Sequence, residues 1–354
     1  MYILFSVVLL LFVPLSVAAD ILKWNSELIF ISSAVAIIPL SLWLSTAIEK
    51  IAVVTGPSIG GLINAIFGNA TLLIISLIAL KEGLIDLVKA SITGSILCDL
   101  LLYMGLGMLA GGIRYKQQNF QSILARVNGS SMTLAVLAVA LPTLVIDTSK
   151  VVDPSIIKNL SISVAAILLI VYGLTLLFSL KTHSFLYEVA MVNKEEDQEQ
   201  INLTIWIGVL LISTLLVAYE SDIFVGQIEN VTQGYGLTPL FTGVVLLPLI
   251  SDMAGIVTVI RLSLKNNMDL TVATAMGDSL LVSLFVAPLL VLLGQLIGQT
   301  NMDLDFNPFQ VVSLAISLAV CNLISFSGQS NWLDGILLLA TYLIFALGFF
   351  YHPA

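Results

Sequence analysis

From residue 28 to residue 350 the chain is divided into ten apolar runs, and most of them are long enough to cross a bilayer. They cover 28–46, 59–80, 87–110, 122–146, 156–180, 204–217, 237–262, 271–297, 309–326 and 332–350. A helix needs about 20 apolar residues to cross a bilayer, and the longer runs fit if they tilt or extend past the hydrocarbon. An earlier run, 3–18, reads as an additional first helix, although Val17-Ala18-Ala19 also fits a signal-peptide cleavage site. Hydrophobic residues make up 58% of the 354 and charged residues only 10%, where a soluble domain carries about 25% charge. The expected fold class is therefore all-α integral membrane, with about eleven transmembrane helices, and the lipid bilayer is its first partner. A net charge of −9 leaves no basic face for nucleic acid.

Lys and Arg set the orientation. Lys50, Arg114, Lys116, Arg126, Lys181, Lys194, Arg261 and Lys265 follow even-numbered spans, whereas Lys23, Lys81, Lys89, Lys150 and Lys158 lie on the other side. Eight against five places the N-terminus in the cytoplasm and the C-terminus outside. Asp147, Asp153, Glu220, Asp222, Glu229, Asp303 and Asp305 are read as loop residues on the outer side. Cys98 and Cys321 stand far apart in apolar runs and read as core residues. His183 and His352 stand alone, so no soft-ligand zinc or copper site is expected. The polar segments hold no nucleophile–base pair and no glycine-rich phosphate loop, so no enzyme and no cofactor is expected.

The division into domains follows from the one long polar stretch. Residues 1–20 form the first helix or signal-like segment, 28–180 a first five-helix repeat, 181–202 an acidic linker containing Asn193–Gln200, and 203–354 a second five-helix repeat. Gly68-Asn69-Ala70-Thr71 and Ser251-Asp252-Met253-Ala254 lie 183 positions apart, and the same offset superposes Gly94 on Gly277 and Ser95 on Asp278 without a gap. Repeats of five spans must enter the membrane in opposite directions, which is the inverted-repeat plan of many secondary transporters.

Four polar residues interrupt the apolar runs: Asn69, Asp99, Asp252 and Asp278. A carboxylate at the centre of a span costs roughly 2.5–3.5 kcal/mol on insertion scales and is by default a functional candidate. Asn69, Asp99 and Asp252 fall near mid-membrane at 1.5 Å per residue, and Asp278 lies nearer its helix start. Gly68, Thr71, Ser95, Ser251 and Ser279 supply further oxygens beside them. No Lys or Arg lies deep in a span to neutralise the aspartates, so a proton, a bound cation, or each in turn must do so. Hard oxygen ligands suit Ca²⁺, Mg²⁺, Mn²⁺ or Na⁺. Competition between H⁺ and a cation for one set of carboxylates is the chemical core of an antiporter. Asn69, Asp99, Asp252 and Asp278 are therefore the expected ion-, metal- and proton-binding residues. The bland alternative is that each caps a broken helix.

The same segments resemble the cation/proton exchanger family (CAX type) of the calcium/cation antiporter superfamily. The resemblance is carried by Gly56-Pro57-Ser58-Ile59-Gly60-Gly61 through Gly68-Asn69-Ala70-Thr71, by Ala79-Leu80-Lys81-Glu82-Gly83 and by Ser91-Ile92-Thr93-Gly94-Ser95-Ile96-Leu97. In the second half it rests on Ser283-Leu284-Phe285-Val286-Ala287-Pro288, Asn307-Pro308-Phe309 and Ser330-Asn331-Trp332-Leu333. It runs over nearly the whole chain and is most like bacterial members, which implies a bacterial inner-membrane protein. It also implies Ca²⁺ transport driven by protons, through eleven spans with an acidic linker after the sixth. The family pattern carries two site glutamates, and those positions hold Leu72 and Gly255 here. Asp99, Asp252 and Asp278 are read as their substitutes. Three functions stand open at this point: Ca²⁺/H⁺ exchange, exchange of Na⁺ or another divalent cation for H⁺, and a non-transporting membrane scaffold or sensor.

Overall fold

Short polar side chains start many of the helices. Asn25 accepts a hydrogen bond from the Leu28 amide (3.2 Å), Asn202 from Thr204 (3.1 Å) and Asn267 from Leu270 (3.2 Å). Asn307 and Gln310 form a reciprocal capping box ahead of Pro308. Such caps satisfy amide groups that the first turn leaves orphaned. The computed structural model describes residues 8–149, 153–183, 201–297 and 302–352, so Asn193–Gln200 of the acidic linker lie outside the described residues.

In chain order the helices are α1 (Phe12–Ile21), α2 (Ser26–Phe67), α3 (Ala70–Lys81), α4 (Ile85–Leu97), α5 (Met104–Tyr115), α6 (Ser122–Ser149) and α7 (Pro154–Leu177). After the linker come α8 (Leu203–Gly234), α9 (Pro239–Phe241), α10 (Leu247–Ser251), α11 (Met253–Leu264), α12 (Met268–Leu281), α13 (Ala287–Ile297), α14 (Pro308–Ser325) and α15 (Trp332–Tyr351). Among the described residues four π-helical segments are inserted: Cys98–Tyr103, Phe178–Thr182, Thr242–Leu246 and Val282–Val286. Strands β1 (Gln117–Asn119) and β2 (Gln329–Asn331) pair antiparallel, with Gln118 opposite Ser330.

Nine helices among the described residues are long and apolar enough to cross a membrane, and the bent pair Pro239–Ser251 and Met253–Leu264 makes a tenth. These ten coincide with the ten apolar runs from residue 28 onward. The additional first run is helical over Phe12–Ile21. One boundary needs correcting. The run read as 204–217 is part of a 32-residue helix, Leu203–Gly234, so Glu220, Asp222 and Glu229 belong to a helix and not to an outer loop. Apolar residues resume on the far side of the charges, at Ile223-Phe224-Val225, and carry the helix on.

The chain divides into two compact units. The first comprises residues up to Ser91, Glu196–Ala254 and the C-terminal end from His352. There α8 runs along α2 and also meets α3, with α1 packed against α2. Leu44, Ala47, Ile48, Ile51, Ala70 and Leu210 close one apolar cluster, and Ala19, Ile29 and Ile223 close another. The Phe30 and Phe224 rings stack at 4.7 Å. α2 covers two spans because Gly56 adopts φ 84°, ψ 173°, a left-handed conformation that lets the chain turn between them.

The second unit comprises Ile92–Glu195 and Gly255–Tyr351. One of its helix crossings is glycine-mediated. α5 lies against α15, and a Cβ on Gly335 would collide with the Leu109 backbone. α14 packs on α6, α13 on α7, and α12 on both α6 and the π segment Cys98–Tyr103. Side chains tie the ribbon and the end of α5 to α11: Gln118 donates to the Ser263 carbonyl (3.0 Å) and Tyr115 to the Leu264 carbonyl (2.9 Å). Cys98 and Cys321 are both buried in this unit, and neither is in a disulfide.

Candidate functional site: two polar pairs within the membrane spans

The first unit carries Asn69 and Asp252, and each sits where a membrane helix breaks. Asn69 separates α2 from α3 with φ −115°, ψ 34°, and Asp252 separates α10 from α11 with φ −111°, ψ 15°. The second break bends the span by 59°. The two residues lie 183 positions apart and share almost one backbone conformation although their types differ. A break inside a span leaves amides and carbonyls without their helical partners, which is tolerated only where other groups replace those partners.

Asp252 is 7% exposed and Asn69 is half-buried. Ser251, beside Asp252, is buried, and its hydroxyl has no hydrogen-bond partner. Thr71 is also buried, but its hydroxyl is already engaged, 3.0 Å from the Ser41 hydroxyl of α2. Gly68 is exposed at the break itself.

The second unit carries Asp99 and Asp278, and here the helices stay continuous but widen. Asp99 is 2% exposed within the π segment Cys98–Tyr103. Asp278 is half-buried in the last turn of α12, where its carbonyl accepts from the Val282 amide at the entry to the π segment Val282–Val286. A π insertion adds one residue to a turn and is frequent at functional sites. The structure brings α12 to Asp99, with the fully buried Ser279 donating to Asp99 Oδ2 at 3.4 Å. Space is open beside Gly277, next to Asp278. Ser95 is fully buried one turn before Asp99.

Among the described residues, no three His, Cys, Asp or Glu side chains gather as a metal cage. Each pair instead adds amide or hydroxyl oxygens to its carboxylates. Hard cations accept such mixed oxygen sets, Ca²⁺ taking about 6–8 oxygens and Mg²⁺ about six.

Two residues, Ser41 and Tyr103, escaped the sequence reading, and a third, Glu220, is read there as an outer loop residue. Ser41 holds Thr71. The Tyr103 ring stands where any side chain on residue 255 would go, so Gly255 is held to glycine. Glu220 is fully buried in α8. The apolar residues on both sides of Glu220 carried a signal for it, whereas the other two contacts bridge distant segments and carried none.

Membrane helices broken at their polar midpoints in one unit and widened around carboxylates in the other define a polytopic ion-transport protein. The chain belongs to the sodium/calcium exchanger protein family, which it matches at residues 25–181 and again at 205–351. It is 51% identical to a Ca²⁺/H⁺ antiporter of Aphanothece halophytica over 98% of this chain and 96% of that one. It is 38% identical to the Ca²⁺/H⁺ antiporter ChaA of Bacillus subtilis over 96% of each. Its structure is similar to that of the Ca²⁺/H⁺ antiporter protein YfkE, with a TM-score of 0.85 and 34% identity over 99% of both chains.

Proposed function

We propose that this chain is a Ca²⁺/H⁺ antiporter of the bacterial inner membrane, a secondary active transporter and not an enzyme. The observation that carries the reading is the pair of helix breaks at Asn69 and Asp252, of matching backbone geometry, inside apolar membrane spans. The full-length similarity to Ca²⁺/H⁺ antiporters supports the choice of Ca²⁺ and H⁺.

In this reading Asn69, Asp99, Asp252 and Asp278 bind the transported ions, and Gly68, Thr71, Ser95, Ser251 and Ser279 support them. A dehydrated Ca²⁺ entering the membrane takes carboxylate, amide, hydroxyl and main-chain oxygens in place of water. The same carboxylates take protons when the cation leaves, because an unpaired charge there carries the desolvation cost. Each ion is thereby a competitor of the other. The unpartnered Ser251 hydroxyl is an oxygen in reserve for whichever ion is bound.

The test uses inverted membrane vesicles from cells expressing the full chain, with an imposed proton gradient followed by a pH-sensitive dye. Ca²⁺ added alone is expected to dissipate the gradient. A response to Na⁺ or to another divalent cation but not to Ca²⁺ would replace the assigned substrate. Silence towards every cation, with the protein present in the membrane, would overturn transport in favour of a scaffold or sensor.

A further inference from the structure

Glu220 lies outside both polar pairs. It is fully buried in the middle of α8, and neither carboxylate oxygen has a hydrogen-bond partner. Leu210, which packs in one cluster with Ala70 beside Asn69, is ten residues away along the same helix, or about 15 Å. Glu220 belongs instead to the other end of the seam, where Ile223, three residues on, closes against Ala19 of α1 and Ile29 of α2.

Two further hydroxyls are buried without a partner in this region. Ser221 follows Glu220 on α8, and Ser16 on α1 lies beside the carboxyl without a formed hydrogen bond to it. Both serines are fully buried. The elements packed against α8 carry Asp20 on α1, Glu27, Glu49 and Lys50 on α2, and Lys81 on α3. Asp20, the charged residue of α1, is an acid and opposes a charge on Glu220. On α8 itself Asp222 and Glu229 are exposed. An ionised carboxylate in this seam would carry its desolvation cost and face the like charge of Asp20.

We propose that Glu220 is a separate proton-binding site at the seam between α1 and α8. A proton from water binds the carboxylate and is released again, the O–H bond forming and breaking with no other reactant. The acid form fits the closed seam, and its one O–H can donate to the Ser16 hydroxyl oxygen after a small side-chain shift. Water must enter the seam for the proton to leave. The site needs no Ca²⁺, so its failure and the failure of the antiport reading are separate results.

Infrared difference spectroscopy on the full chain in lipid vesicles, without Ca²⁺, reads this directly. The expected result is a protonated carboxyl stretch that shifts in D₂O, fades reversibly as pH is raised over the range in which the protein stays folded, and is missing from Glu220→Gln. Glu220→Asp is the second variant and restores a titrating band at shifted frequency. If Glu220→Gln removes no band at any pH, the group is permanently ionised and the proposal fails. If it removes a band that never titrates, Glu220 is a fixed structural acid and the proposal fails equally.

Discussion

The two polar pairs place charge in the membrane by different means. At Asn69 and Asp252 the helix stops and restarts, so the backbone itself becomes a source of oxygens. At Asp99 and Asp278 the helix runs on through or into a π segment, and it is the side chain that is presented. A break costs several main-chain hydrogen bonds in a place without water, and it persists only where something compensates them. A π insertion keeps nearly all of them. The break pair is thus the more demanding feature and the stronger claim to function, while the π pair resembles a holder, with Ser279 steadying Asp99.

This contrast can be broken most severely at Asp252. Asp252→Asn keeps the side-chain size but removes the charge, and cation-driven proton movement in vesicles is expected to fall to background. Wild-type rates would transfer the central role to the π pair.

Next in size is Gly255→Glu, which introduces the residue type that the resemblance implies at that position. The Tyr103 ring occupies the space, so overpacking is expected to destabilise the protein by about 1–3 kcal/mol, read as a lower melting temperature in detergent. Tyr103→Ala in the same chain should recover most of that loss, and an unchanged midpoint in the single variant would show that the ring yields freely.

Ser279→Ala tests the holder. It removes a long hydrogen bond to Asp99 worth about 1 kcal/mol, so cation affinity in the vesicle assay should weaken only about fivefold. A loss as large as that of Asp252→Asn would make the π pair equal to the break pair.

The smallest effect lies outside both. Asp153 caps α7, and hydrogen bonds from the Ser155 hydroxyl and amide hold its carboxyl below the usual carboxylate range. A lowered folded-state value means that its stabilising contribution is fully present above the ordinary carboxylate value and is lost as pH falls through the folded one. Asp153→Ala should therefore lower the melting temperature slightly at neutral pH and not at strongly acid pH. Transport should not change with it.

Much of this molecule was legible in its residues. The ten spans are written in apolar runs of bilayer length, because lipid demands the same property of every residue that faces it and no tertiary contact is needed to state it. The repeat offset pointed to Asn69 and Asp252 as partners, and both prove to be helix breaks of one geometry. The end of α8 was misplaced for the converse reason: Glu220 and Asp222 look like loop residues until the packing of Ile223 against Ala19 and Ile29 shows the helix continuing.

The sequence by itself determined a multi-span helical membrane protein with acids and amides at repeat-related positions. Only the tertiary structure decided which of those positions break a helix and which widen one, that Tyr103 fills the space beside Gly255, and that Glu220 is buried beside Ser16. The physical reason is range. Hydropathy and capping act within a few residues, whereas a buried carboxyl is defined by what a segment some two hundred residues away places against it.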